Sequence, residues 1–212
     1  DILFWKLNND TGKWETASYD ELDEKTQKYL EAFAKTDIGN KFLGQFAKKG
    51  DKIGEVEFGE DGKNSGHELA FGERNYWYAP DGSSNVQSKN DKLVFEMTVN
   101  NASKRELNKV ENLAMSNGHE VFIHFERYLD KLIEAYDSGN MDKVNQILKE
   151  KREITRRNSP TNHKDHKNYI NGNPEFNRMK AYQTQLKQVL NPKAVRQAII
   201  KHDNKLKHLK KQ

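Results

Sequence analysis

Lys92-Leu93-Val94-Phe95-Glu96-Met97-Thr98-Val99 is the stretch that settles one half of the fold. Leu93, Phe95, Met97 and Val99 fall on one side and Val94, Glu96 and Thr98 on the other, the period-two pattern of a strand with one strongly apolar face. After residue 103 the period changes. Phe122, Phe125, Leu129, Leu132, Ile133 and Tyr136 fall on one stripe of a helix, at three- and four-residue spacings. A strand-rich part followed by a helix-rich part predicts an α+β fold. We expect a small antiparallel β region over about residues 50–100 and a helical half from about 103 to 212, within one domain covering 1–212.

Outward from that strand, residues 2–14 read as a hairpin around Asn8-Asn9-Asp10-Thr11-Gly12. Residues 18–48 read as two helical pieces. Ser18 and Glu21 form a capping box at the start, Gly39 separates the pieces and Gly50 ends the second. Ile53, Val56 and Phe58 predict a strand, residues 69–71 a second, and Asn75-Tyr76-Trp77-Tyr78 a third before the turn Pro80-Asp81-Gly82. Beyond the strand, Ser103 and Glu106 form another capping box. The helix or helix pair that follows runs to about Asp137, just before Gly139. Residues 141–154 and 174–190 read as helices, and Asn191-Pro192 opens a last one. Residues 155–173, with Pro160, Gly172 and several Asn, read mainly as loop.

Composition bounds the chemistry. The 212 residues carry a net charge of +4, with 34% apolar and 32% charged residues, so the surface must be very polar. Cysteine is absent, which excludes disulfides, thiolate metal sites and a thiol nucleophile. Any metal must be held by His, Asp or Glu. No stretch approaches the ~20 apolar residues of a membrane span, no signal peptide is visible, and the sequence starts abruptly at Asp1-Ile2-Leu3-Phe4-Trp5. The chain reads as a domain excised from something longer. The last quarter is basic, but no aromatic residues interleave with its lysines, which argues against nucleic acid as a partner. His202 and His208 on that lysine-rich helix read as solvated.

The informative cluster is His119-Glu120-Val121-Phe122-Ile123-His124. His119, Glu120 and His124 leave the helix away from its apolar stripe. Two neutral imidazoles and a carboxylate are what metal-assisted hydrolysis needs. Zinc takes imidazole nitrogen and keeps one position for water, and a carboxylate can move that water's proton. The spacing is H-E-x-x-x-H, one residue longer than H-E-x-x-H. On a regular helix the two imidazoles would diverge by about 140°, so a π-bulge or local unwinding is expected between them. Glu120 and His124 are four apart, so Glu120 is either general base or ligand. A third ligand is expected from Asn162-His163-Lys164-Asp165-His166-Lys167-Asn168-Tyr169: His166, or else His163. The other His and Asp165 would orient the ligands, and Tyr169 would donate to a developing oxyanion. The order strand, then helix with the motif, is that of zincins, where a strand edge aligns an extended substrate. The strand at 93–99 is therefore expected at the rim of the cleft.

The H-E-x-x-x-H spacing resembles the zinc motif of the dipeptidyl peptidase III family, over six residues. A wider resemblance rests on residues 41–50, on Gly118-His119-Glu120-Val121-Phe122-Ile123-His124, and on Lys164-Asp165-His166-Lys167-Asn168-Tyr169, in that order. Together they are similar to C-terminal toxin-like domains of Rhs-repeat and related polymorphic proteins of Bacteroidetes bacteria, over roughly residues 36–209. The resemblance implies a zinc metallopeptidase, secreted or delivered into a target cell as part of a larger protein. It implies a peptide or protein substrate and a cognate immunity protein in the producer. It points to His119, Glu120, His124 and His166. Two other readings stay open at this point. The basic charge and the polar loop at 162–171 fit a metal-dependent nuclease toxin, and the β half fits the recognition surface of a non-catalytic binding module.

Overall fold

The computed structural model describes residues 1–74, 82–100, 109–155 and 164–211. Strands β1 (Ile2–Leu7) and β2 (Trp14–Ala17) form the expected N-terminal hairpin, with Leu7 opposite Trp14 and Gly12 at a positive φ of 69° in the turn. The chain then leaves the sheet through a 3₁₀ turn (Tyr19–Glu21), helices α1 (Glu24–Lys35) and α2 (Asp37–Gly44), and a two-residue ladder between β3 (Lys52–Ile53) and β4 (Val56–Glu57). It returns as β5 (Glu68–Arg74), parallel to β1, with Phe4 beside Phe71. Strand β7 (Lys92–Asn100) lies parallel to β5, and β6 (Gly82–Lys89) pairs antiparallel with the other edge of β7. The order is β2-β1-β5-β7-β6.

The α+β class holds, and the sheet is mixed where a purely antiparallel one was expected. The reason is the crossover. The chain leaves the sheet from β2 and, after two helices, comes back on the far side of β1 running antiparallel to β2, which makes it parallel to β1, as a tight hairpin cannot. Strand β6 has only Val86 as an aliphatic residue, so hydropathy hides it. The turn that joins it to β7 is Asn90-Asp91, at φ 52° and 61°, the left-handed pair that closes a two-residue hairpin. The anticipated strand at Asn75-Tyr76-Trp77-Tyr78, its turn at Pro80-Asp81 and the capping box of Ser103 and Glu106 lie outside the described residues.

Local chemistry sets the helix ends. Glu21 accepts from the backbone N–H of Ser18 at 3.1 Å, but this box closes only the 3₁₀ turn. Helix α1 is capped by Asp23, whose carboxylate accepts from Lys25 N–H at 2.9 Å. The break between α1 and α2 is at Thr36, not Gly39. The Thr36 hydroxyl donates to Phe33 O at 2.7 Å and accepts from Gly39 N–H at 3.0 Å. Gly39 sits in the first turn of α2, where a Cβ would come within 2.0 Å of Phe33 O.

The helical half begins with one long rod in three parts: α3 (Val110–His119), a π-helical turn (Glu120–Phe125) and α4 (Glu126–Asp137). Then come α5 (Met141–Thr155), α6 (Lys164–Ile170), a 3₁₀ turn (Pro174–Phe176), α7 (Asn177–Val189) and α8 (Pro192–Lys211). Helix α6 corrects the expected loop. Its composition is polar, yet Asp165, His166 and Tyr169 are buried on one side, so tertiary contact holds a helix too short to stand alone. No helix among the described residues is long and apolar enough to cross a membrane.

The helices cover one face of the sheet, and the π turn is at the centre of the packing. Phe122 meets Phe33 at 5.9 Å, Phe42 at 6.3 Å and Tyr182 at 5.3 Å between ring centroids. Phe125 meets Phe95 of β7 at 5.8 Å, and Phe95 meets Phe46 at 5.7 Å. Strand β7 therefore runs beside the motif helix, as expected. It does not offer a rim, because both its edges are paired and its apolar face is core.

Phe122→Ala removes the ring at that centre and should cost about 3–5 kcal/mol. Urea unfolding followed by circular dichroism measures it. A loss below about 1 kcal/mol, the average for an arbitrary substitution, would show that the π turn is not a packing centre.

Candidate metal centre

The π turn solves the spacing problem of the motif. Within it Glu126 N–H bonds to Val121 O, five residues back. Residues five apart then stack along the helix as residues four apart do in an α-helix. His119 and His124 consequently point the same way, with their Nε2 atoms 3.0 Å apart. His166 of α6 joins them, its Nε2 3.0 Å from that of His124 and 3.1 Å from that of His119. Among the described residues these three form a group able to hold a metal ion. His166 thus takes the place of third donor, and His163 lies outside the described residues.

The triangle is unlike a hydrogen-bonded cluster. Each Nε2 is either an N–H donor or a bare acceptor. Three atoms and two states force at least one like pair at ~3 Å, which is repulsive. A cation among three lone pairs removes the conflict. Tetrahedral ligands at ~2.05 Å from zinc stand ~3.3 Å apart, within a few tenths of an ångström of the sides found here. His124 and His166 are buried and His119 half-buried. Burial first, then the neighbouring imidazoles of His124, His202 and His166, holds His119 well below the usual imidazole range. It is therefore neutral, the form a ligand must have.

Behind His124 and His119 stands a second group. Asp165, fully buried, has Oδ2 at 3.5 Å from His124 Nδ1, and its Oδ1 accepts from Arg127. His119 Nδ1 lies 2.8 Å from Nε2 of His202, whose Nδ1 lies 2.8 Å from Asp203 Oδ1. The Tyr169 hydroxyl donates to the same Asp203 oxygen at 2.9 Å and accepts from Gln183 at 3.0 Å. Its single proton is thereby committed, and burial followed by the Asp203 charge pushes its pKa up. In this arrangement Tyr169 buttresses Asp203 and has no proton to offer an oxyanion. Burial would raise Asp203, but His202, Tyr169 and Lys180 outweigh it and bring the carboxyl down to about 2.

Glu120 is buried and lies outside the nitrogen group. Its charge is felt by Lys151, a buried lysine whose pKa is lowered by burial against the opposing pull of Glu120 and Asp165. Gly118 shapes the same turn from the other side. A Cβ there would meet the Tyr182 ring at 2.2 Å, so only glycine lets α7 pack against the residue before His119.

His202 was expected to be solvated, and this is a correction. The signal was present in α8: Val195, Ala198 and Leu206 are buried at helical spacing, and His202 falls on their stripe. The lysines around it masked that periodicity. No protein-family model, curated protein or solved structure matches this chain.

One divalent metal ion should bind per chain and raise the melting temperature. Ligand at 100 times Kd adds about 2.7 kcal/mol to stability. His124→Ala and His166→Ala should each abolish that rise. Differential scanning fluorimetry with zinc and with chelator measures it, and a melting temperature indifferent to both would remove the metal centre.

Proposed function

We propose that this protein is a zinc-dependent hydrolase of the metallopeptidase type, acting as an effector domain delivered into a target cell. The observation that carries the reading is the convergence of His119, His124 and His166 on one point, with His119 just before, and His124 within, a turn that begins with the buried Glu120. Three imidazoles with no carboxylate in the donor set suit a borderline ion such as zinc, whereas magnesium takes oxygen ligands. That donor preference favours the peptidase over a magnesium-dependent nuclease.

Zinc in such a site supplies a water of pKa ~7 and polarises a substrate carbonyl. The chain's own residues do the rest. His119 and His124 leave one turn of helix in parallel and His166 closes the third side, so three donors would hold the ion and its fourth position would be left to water. Glu120 follows directly on the first donor and is not itself in the nitrogen group. We assign it the role of general base: it takes the proton of the attacking water and returns it to the leaving amine. The pairing of β7 on both edges means that an extended substrate is not aligned along that strand. Delivery into a rival cell, and a cognate immunity protein in the producer, rest on the resemblance to polymorphic-toxin domains and belong to the same proposal.

Glu120→Gln keeps the shape and removes the proton acceptor. Activity on a peptide library, read by mass spectrometry, should fall by about 10²–10⁴-fold with zinc content unchanged. A metal-free Glu120→Gln protein would make Glu120 a ligand. A metal-loaded and fully active one would take it out of the reaction.

A further inference from the structure

Helix α8 puts two residues behind the metal centre that the hydrolytic reading does not use. We propose that His202 and Asp203 are positioning residues. They hold His119 in the tautomer whose Nε2 lone pair faces the other two imidazoles, and so set metal affinity from the C-terminal helix. The proposal rests on the metal-centre reading and reaches beyond it to residues far from the motif.

The direction of every hydrogen bond in the chain follows from one end. Gln183 Nε2 donates to the Tyr169 hydroxyl, and the hydroxyl donates to Asp203 Oδ1. Lys180 lies 3.4 Å from the other carboxylate oxygen. Asp203 is thus surrounded by donors and acts only as an acceptor, so His202 Nδ1, 2.8 Å away, must be the N–H. With His202 neutral, that is its only N–H, so its Nε2 is bare and accepts. The atom 2.8 Å from it is His119 Nδ1, which must donate. His119 has then spent its only proton, and its Nε2 is a lone pair directed into the triangle. With both imidazoles neutral, the relay Gln183–Tyr169–Asp203–His202–His119 leaves no freedom in its protons.

The energetic consequence concerns affinity. A ligand imidazole free to place its proton on Nε2 must give up that tautomer before it binds, and the loss of such an orienting partner typically costs 10–100-fold in metal affinity. Here the partner is itself an imidazole backed by a carboxylate. The carboxylate charge is transmitted through His202, which makes His119 a stronger donor than an isolated histidine.

The test uses the full chain, with isothermal titration of zinc, the absorption spectrum of the cobalt(II)-loaded protein, and nitrogen-15 imidazole spectra of the metal-free protein. His202→Ala should bind metal about 10–100-fold more weakly than the parent and show a shifted cobalt spectrum. Its His119 should populate both tautomers, where the parent shows an N–H at Nδ1 alone. His202→Gln, whose amide oxygen stands near the lost Nε2, should recover most of the affinity. A merely structural role would lower stability in both variants alike and leave the spectra of the folded fraction unchanged. A His202→Ala protein within about threefold of the parent in affinity, well short of the expected loss, with an unchanged cobalt spectrum, overturns the relay. A parent that binds no metal overturns the metal-centre reading, and with it the effect on affinity. Should His202→Ala fail to fold, Asp203→Asn and the tautomer of His119 in the parent decide. A parent His119 with its proton on Nε2 would end the proposal.

Discussion

The hydrogen bond from Glu126 N–H to Val121 O, one residue longer in reach than an α-helical bond, is the constraint on which the centre depends. A π turn is locally less favourable than the α-helix it interrupts. It persists because its side chains are held on all sides. Val121, Phe122, Ile123 and Phe125 are each at most 2% exposed, and their rings and methyls interlock with α1, α2, α7 and β7. Unwinding the turn to regular helix would rotate two phenylalanines out of a packed core. Core packing thus stabilises a backbone geometry that the two histidines need and could not hold by themselves.

The parts of the fold that announce themselves in the sequence are those where one side of an element is apolar. Strand β7 and the stripe from Phe122 to Tyr136 were legible for that reason, and so was the need for a π turn or a local unwinding, since H-E-x-x-x-H diverges on a regular helix. The misses share a cause. Strand β6 and helix α6 are polar along most of their length, and their structure comes from partners rather than from their own pattern: β7 in one case, and the buried side of Asp165, His166 and Tyr169 in the other. The mixed sheet was hidden because strand direction is decided by what the intervening helices do, and alternation is blind to direction.

In the site, the three nitrogen donors were legible as histidines near one another in kind and spacing. Their supports were not. His202 sits among lysines, and its inward position shows only when Val195, Ala198 and Leu206 are aligned with it on one stripe. Tyr169 was read for its chemistry, but its hydroxyl is spent on Asp203. Both errors come from reading a residue's reactive atom without its partners. What a side chain can do in a buried centre is set by where its protons are already committed, and that information is three-dimensional.

The π turn is also a matter of counting. Relative to a regular helix it carries one residue too many, and removing a single residue between His119 and His124 would restore the commoner H-E-x-x-H spacing with the two imidazoles still adjacent. The metal would lose little. The rest of the rod would keep its phase as well, because a turn that stacks residues five apart absorbs the extra residue: the buried positions of α3 (Leu113, Ala114, Met115, Gly118) and those of α4 (Leu129, Leu132, Ile133) face the same core with or without it. What would change is the turn itself, where Val121, Phe122, Ile123 and Phe125 fill the space around one residue more than an α-helix holds. The unusual motif length is therefore a local insertion, to be answered by repacking around those four side chains and nowhere else along the rod.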